Sequence, residues 1–180
     1  DAPNYQFVAA RLLLFGLRKS VYGHHPDSAP SLFTHVNQCV ERGVYDPGLL
    51  KAYNSDEWNK IDTFQRRDRD LLFTYAGLRQ VVDKYLVQDR STGSVYETPQ
   101  FMYILIAATI FSDYPQETRL DYVKKYYDAI SKHKVNIPTP VMAGVRTPLR
   151  QYASCVLVDV DDTLDSIFSS DMAIGRYVAQ

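Results

Sequence analysis

Apolar positions recur with a helical period along most of the chain up to about residue 133. Over residues 4–21, Val8, Leu12 and Phe15, with Ala9 and Leu13, return at steps of three and four, while Arg11, Arg18 and Lys19 take other faces. This predicts an amphipathic helix with Asn4 as its cap. Gly23-His24-His25-Pro26-Asp27-Ser28-Ala29-Pro30 reads as a loop punctuated at both ends, its two histidines solvated. A second helix is expected over 31–42, with Leu32, Val36, Cys39 and Val40 as its stripe and Gly43 as its stop. Shorter helical turns are expected near 47–53 and 55–61, the latter started by Ser55 as a capping residue type.

The run Arg66-Arg67-Asp68-Arg69-Asp70 mixes both signs and reads as solvated surface or local ion pairing. Residues 78–85 read as helix. Tyr85-Leu86-Val87 and Ser94-Val95-Tyr96 then flank Asp89-Arg90-Ser91-Thr92-Gly93, a hairpin near 85–96. Thr98 and Pro99 start a buried helix to about residue 112. Another helix over 115–132 carries Leu120, Val123, Tyr127 and Ile130.

After His133 the texture changes. Val135-Asn136-Ile137-Pro138-Thr139-Pro140 is Pro-rich; 141–145 and 153–160 read as strands; Asp161-Asp162-Thr163-Leu164-Asp165 opens a last helix to about residue 178. The expected fold is therefore mainly α: a helical region over 1–133, then strand, loop, strand and helix over 134–180. A sheet of two strands has open edges and little core, so it expects further strands from elsewhere.

Bulk properties narrow the function classes. The 180 residues fit one domain or a domain and a half, and 46% hydrophobic content permits a sizeable core. A net charge of -1 supplies no whole-chain field for nucleic acid or an anionic membrane. The longest apolar run, 101–111, falls well short of the roughly 20 residues a membrane span needs. Two cysteines build no secreted disulfide framework, and no signal peptide opens the chain at Asp1-Ala2-Pro3-Asn4, so a reducing, cytoplasmic setting is expected. The 14 tyrosines read as amphipathic packing, with rings buried and hydroxyls wet, rather than as a radical relay.

Candidate chemistry is sparse. Cys155 lies in Ser154-Cys155-Val156-Leu157, where a lone cysteine is either a small buried hydrophobe or a redox thiol. Cys39 is explained by helix packing, and the four histidines and two cysteines form no metal-ligand spacing. At Asp161-Asp162-Thr163-Leu164-Asp165 the open backbone N–H groups of a helix start admit two readings. One is plain capping, by Asp162 with Asp165 three residues on, or by Thr163 instead. The other is a nucleotide site whose acidic side chain accepts from a sugar hydroxyl. There is no Gly-rich phosphate loop.

Taken together, Pro138-Thr139-Pro140-Val141-Met142-Ala143-Gly144-Val145-Arg146-Thr147-Pro148, Ser154-Cys155-Val156-Leu157 and Asp162-Thr163-Leu164-Asp165-Ser166-Ile167 resemble consecutive signatures of the large (alpha) subunit of class I, aerobic ribonucleotide reductases. Lys84-Tyr85-Leu86-Val87-Gln88, Gln100-Phe101-Met102-Tyr103 and Glu117-Thr118-Arg119-Leu120 resemble it upstream, in the same order. The resemblance implies a helical N-terminal region leading into the first strands of a ten-stranded α/β barrel. It implies reduction of ribonucleoside diphosphates by thiyl-radical chemistry with a redox cysteine pair, Cys155 being the first of that pair. Thr139 and Ser154 resemble substrate-binding positions. Asp162, Thr163 and Leu164 resemble one side of an allosteric site for a deoxynucleoside triphosphate or ATP at a dimer interface. Lys19 resembles a lysine that touches ATP in the family's N-terminal cone, against its plain reading as an exposed helical lysine.

No metal is expected in this segment; the radical-generating metal cofactor belongs to the family's small subunit. The implied partners are the remainder of the large subunit, a second large subunit, the small subunit, thioredoxin or glutaredoxin as reductant, and nucleotides. The second cysteine of the pair, the radical cysteine and the relay tyrosines belong to later segments of the family, so the isolated chain is expected to be inactive. Two other function classes stay open: a non-catalytic nucleotide-binding or subunit-interaction module, and a helical interaction domain with no ligand.

Overall fold

The computed structural model describes residues 4–23, 29–149 and 151–179; the loop histidines His24 and His25 lie outside them. The molecule is built around α6, Pro99–Ile110, whose residues from Pro99 to Ala108 are all buried. Such a helix has no polar face and must be covered on all sides. Pro99 occupies the first turn, where its missing N–H costs nothing. Helix α7, Gln116–Ser131, packs along α6 and buries Val123, Tyr127 and Ile130, the stripe expected from its spacing.

Helix α1, Tyr5–Tyr22, and α2, Leu32–Glu41, lie elsewhere on this core. Leu32, Val36 and Cys39 of α2 are buried as expected, and Ser31 caps it by accepting from the Thr34 N–H at 3.2 Å. Gly43 follows at φ 70, a conformation that L side chains rarely adopt. Helix α3, Gly48–Ala52, and α4, Ser55–Thr63, come next. The cap of α4 is Asn54 and not Ser55: Asn54 and Glu57 exchange side chain to backbone hydrogen bonds in a capping box, both at 3.0 Å. Ser55 is already helical.

A 3-10 helix, Arg67–Leu72, leads to α5, Tyr75–Gln80, which widens into a π-helical turn, Val81–Tyr85. Strands β1, Gln88–Asp89, and β2, Ser94–Val95, pair antiparallel with Gln88 opposite Val95. Gly93, at φ 72, closes the hairpin. Helices α8, Thr139–Gly144, and α9, Leu164–Val178, complete the chain.

Several expectations are corrected. Helix α1 buries Ala10, Leu14 and Leu17. The stripe Val8, Leu12 and Phe15 faces outward, at 47%, 70% and 59% exposure. The helix is apolar nearly all round, so periodicity alone selected the wrong face. Asn4 makes no side-chain capping bond. Residues 141–145 are not a strand, because four of them lie in α8, between Pro138 and a buried Arg146. Residues 153–160 carry no strand either: a strand needs a neighbour for its N–H and C=O groups, and among the described residues none is beside them.

The charge run is only partly surface. Arg66 and Asp68 form an exposed local pair, but Asp70 is 2% exposed and accepts from Arg18 at 2.9 Å and Gln100 at 2.8 Å. Arg69 reaches Asp128 at 2.6 Å. Tyrosine hydroxyls are not uniformly wet. Tyr53 donates to the Ala108 carbonyl at 2.7 Å, and Tyr127 donates to Gln100 Oε1 at 2.6 Å, both within the core.

Two stability predictions follow from this packing. Ile104→Ala, at a fully buried position of α6, lowers unfolding free energy by about 2–5 kcal/mol. Leu12→Ala, on the outward face of α1, stays within about 0.5 kcal/mol of the parent chain, both variants being measured by urea titration. Glu57 is held below its ordinary range chiefly by hydrogen bonds from Arg119, at 2.7 and 2.6 Å. A carboxylate whose folded pKa is depressed stabilises above its unfolded pKa and loses that contribution as pH falls through the folded value. Acidification through the carboxylate range therefore removes the Glu57 contribution, and Glu57→Gln flattens that part of the profile measured by denaturation at stepped pH.

Candidate functional site

The signature segment 138–148 is fixed by one buried cluster. Arg146 and Glu97 are both 0% exposed and form an ion pair through Nη2 and Oε1, reinforced by Arg146 Nε donating to Glu97 Oε2 at 2.8 Å. The guanidinium also donates from Nη1 to the Met142 carbonyl at 2.6 Å and from Nη2 to the Tyr85 carbonyl at 3.0 Å. Glu97 accepts in addition from the Val87 N–H at 2.8 Å and the Tyr45 hydroxyl at 2.6 Å. Burial works against the Arg146 charge, but attraction to Glu97 and their hydrogen bonds more than offset it and raise its pKa.

The cluster extends into the helical layer. The Tyr45 hydroxyl lies 3.3 Å from His35 Nε2, and the His35 ring stacks on Phe101 at 4.4 Å. Burial pushes the His35 pKa down to about 4, so the imidazole is neutral at pH 7. Cys39 Sγ lies 3.7 Å from the same nitrogen, and burial raises this thiol to about 12. Cys39 is thus a packed hydrophobe, as its helix position implies.

Thr139 begins α8 on the surface. Helix α8 packs against the π-helical turn, where the Tyr85 phenol is held below its ordinary pKa by hydrogen bonding from Thr139 and from Gln80, whose Nε2 lies 3.3 Å away. Residues 151–163 then run without helix or strand and almost wholly exposed. Ser154 and Cys155 lie there; Cys155 is a free, exposed thiol, not a buried one. Among the described residues no hydrogen bond joins Thr139 to Ser154 or Cys155.

At the start of α9, Thr163 is the cap, accepting from the Ser166 N–H at 3.2 Å. Of the two candidate caps the structure takes Thr163, and Ser166 Oγ in turn accepts from the Asp161 N–H at 2.8 Å. Asp162 and Leu164 are exposed. Only Ser170 of α9 is buried, while Leu164, Phe168, Met172 and Val178 stand more than half exposed. Lys19 is exposed on α1, far along the chain from these groups.

Sequence reasoning passed over Glu97, Tyr45 and the role of Arg146. One signal was available: Glu97 is a lone charge directly before a helix with no polar face, where it must be paired. Among the described residues no group of three or more His, Cys, Asp and Glu could hold a metal ion, and no helix is long and apolar enough to cross a membrane.

Comparison with known proteins accords with this architecture. Residues 71–150 match the family described as ribonucleotide reductase, all-alpha domain. Over all 180 residues the chain is 53% identical to ribonucleoside-diphosphate reductase 1 subunit alpha of Escherichia coli strain K12, covering 23% of that protein. It is 52% identical to the subunit alpha of Haemophilus influenzae and 42% identical to that of Enterobacteria phage T4, covering 24% of each over its own full length. Along its whole length the chain is similar to the N-terminal region of ribonucleoside-diphosphate reductase alpha subunits. It spans about a quarter of the length of the curated relatives it matches.

The two thiols differ enough to be read directly. In the native chain Cys155 reacts with a thiol reagent such as a maleimide within minutes, while Cys39 reacts only after denaturation. Mass mapping of the labelled peptides checks both.

Proposed function

We propose that the chain is the N-terminal part of a class I ribonucleotide reductase large subunit, which converts ribonucleoside diphosphates to deoxyribonucleoside diphosphates. The observation that carries this reading is identity of about half the residues over the whole chain to alpha subunits bearing that name. In this reading residues 1–133 form the helical region and 134–180 open a ten-stranded barrel that the remainder of the subunit completes. Residues 153–160 become a strand once they have neighbours.

The reaction needs two electrons and two protons. Thiyl-radical chemistry started by a cysteine elsewhere in the subunit activates the ribose. Cys155 and a second cysteine then give up two thiol hydrogens and close a disulfide, while the 2′ hydroxyl leaves as water and is replaced by hydrogen. An exposed thiol suits this role, because it has to meet substrate and partner sulfur. Thioredoxin or glutaredoxin would reduce the disulfide afterwards. Thr139 and Ser154 would hold the substrate through their hydroxyls, which donate to phosphate or sugar oxygens without a fixed charge.

Asp162, Thr163 and Leu164 would form one side of the specificity site for ATP or a deoxynucleoside triphosphate, with Asp162 accepting from a sugar hydroxyl. The apolar face of α9 would pack in the large-subunit dimer. Lys19 would touch ATP beside α1. The small subunit would supply the radical from its own metal cofactor, in the cytoplasm.

A second reading, a subunit-interaction module without catalysis, is favoured by the outward apolar faces of α1 and α9. Complementation separates the two. The chain joined to or mixed with the remaining alpha-subunit segments, plus the small subunit, reduces labelled cytidine diphosphate in the catalytic reading and not in the modular one. In that assembly Cys155→Ser abolishes multiple turnover, and Asp162→Ala weakens triphosphate binding about tenfold or more by equilibrium dialysis. Unchanged turnover or unchanged affinity removes the corresponding role.

A further inference from the structure

We infer that Arg146 and Glu97 are positioning residues for Thr139, and that their buried pair sets the affinity of the assembled enzyme for its ribonucleoside diphosphate. The inference rests on the reading of Thr139 as a substrate contact. Helix α8 has only six residues, too few to hold its own shape in water. Its placement therefore comes from outside, and the guanidinium of Arg146 supplies it. One nitrogen holds the Met142 carbonyl in the middle of α8, and another holds the Tyr85 carbonyl at the end of the π-helical turn. The two carbonyls belong to α8, which Thr139 begins, and to the π-helical turn that packs against it.

Glu97 fixes the guanidinium in turn. Both of its oxygens receive the fork, and the Val87 N–H and Tyr45 hydroxyl hold the carboxylate from the other side. Thr147 closes the far end of α8 by donating from its hydroxyl to the Gly144 carbonyl at 2.8 Å. The hydroxyl of Thr139 is thus aimed by a rigid cluster that faces away from solvent and touches no substrate itself. A substrate-binding hydroxyl held in advance costs less ordering when the ligand arrives.

Arg146→Lys is the decisive change. Lysine keeps a charge for Glu97 but lacks the planar fork that also grips two carbonyls. In the 180-residue chain, hydrogen exchange at the Met142 and Val145 amides, which bond within 138–145, becomes roughly tenfold faster, while α6 amides keep their protection. In the complete alpha subunit with its small subunit, KM for cytidine diphosphate rises about fivefold, as for loss of one hydrogen bond, with kcat within about twofold. On a Thr139→Val background Arg146→Lys gives no further rise. Thr147→Val, which buries no unpaired charge, reproduces the effect in the same direction should the lysine variant fail to fold.

An equal KM increase on the Thr139→Val background overturns the inference, because the effect would then bypass Thr139. Unchanged exchange at Met142 and Val145 overturns it as well. Thr139→Val alone leaving KM unchanged overturns the substrate role of Thr139, a separate failure that shows without any change to the pair.

Discussion

A fully buried arginine and glutamate cannot both stay charged inside a protein without each other, and this constraint organises the middle of the molecule. Removing one member of such a pair typically costs about 3–5 kcal/mol, because the other is left charged without solvent or partner. The Arg146–Glu97 pair therefore demands that three stretches distant in sequence arrive together: the turn before α6, the end of the π-helical turn, and the segment after α8. Tyr45 and His35 extend the demand to α2 and the loop behind it. A buried ion pair is weak as a source of net stability but strong as a selector of register. Apolar side chains tolerate small slips, whereas a bidentate fork with four acceptor contacts does not.

Asp70 repeats the same principle on the other side of α6. Burial raises its pKa, and Gln100 and Arg18 work against that rise. Gln100 then accepts from Tyr127, whose oxygen also receives the Arg66 N–H at 2.8 Å. A helix with no polar face thus keeps one polar residue near its start, and that residue links α1, the 3-10 helix and α7. Glu57 and Arg119 add a third connection between α4 and α7, with Arg119 lying 4.6 Å over the Tyr53 ring. The helical layer is cross-braced by charged side chains around a core that supplies the driving force.

How far the sequence carried the fold depends on whether one signal or two competing ones were present. The stripes of α2 and α7 and the run of α6 were legible, because each has one apolar pattern of helical period and a clear stop. Helix α1 was legible as a helix but not in its orientation, since residues on nearly every face are apolar and only the neighbours decide which are covered. Val141 to Val145 looked like a strand because β-branched residues favour that state, yet Pro140 and the Arg146 clamp bend the same residues into a helical turn. Asp70 was invisible as a core group, since pairing is a property of three dimensions, and Glu97 showed only as a lone charge before an apolar helix. Thr139 and Ser154 came from resemblance alone; for Cys155 and Asp162 the local residues left a bland and a functional reading side by side, and only the resemblance chose between them.

The order of the chain along its length has an energetic meaning. Up to Thr147 nearly every polar group that leaves water finds a partner, and the large apolar side chains of α2, α6 and α7 are covered. Beyond Leu149 the balance reverses: Leu157 is 96% exposed, and α9 presents one apolar side after another to water. Each large side chain left out forfeits about 1.5–3 kcal/mol of burial. The short helix α8, held by Arg146, is therefore the boundary between a densely covered core and a stretch whose large apolar side chains stand exposed. A thiol carried on that segment is free to take its geometry from whatever closes over it, while Thr139, one step earlier, takes its geometry from the core.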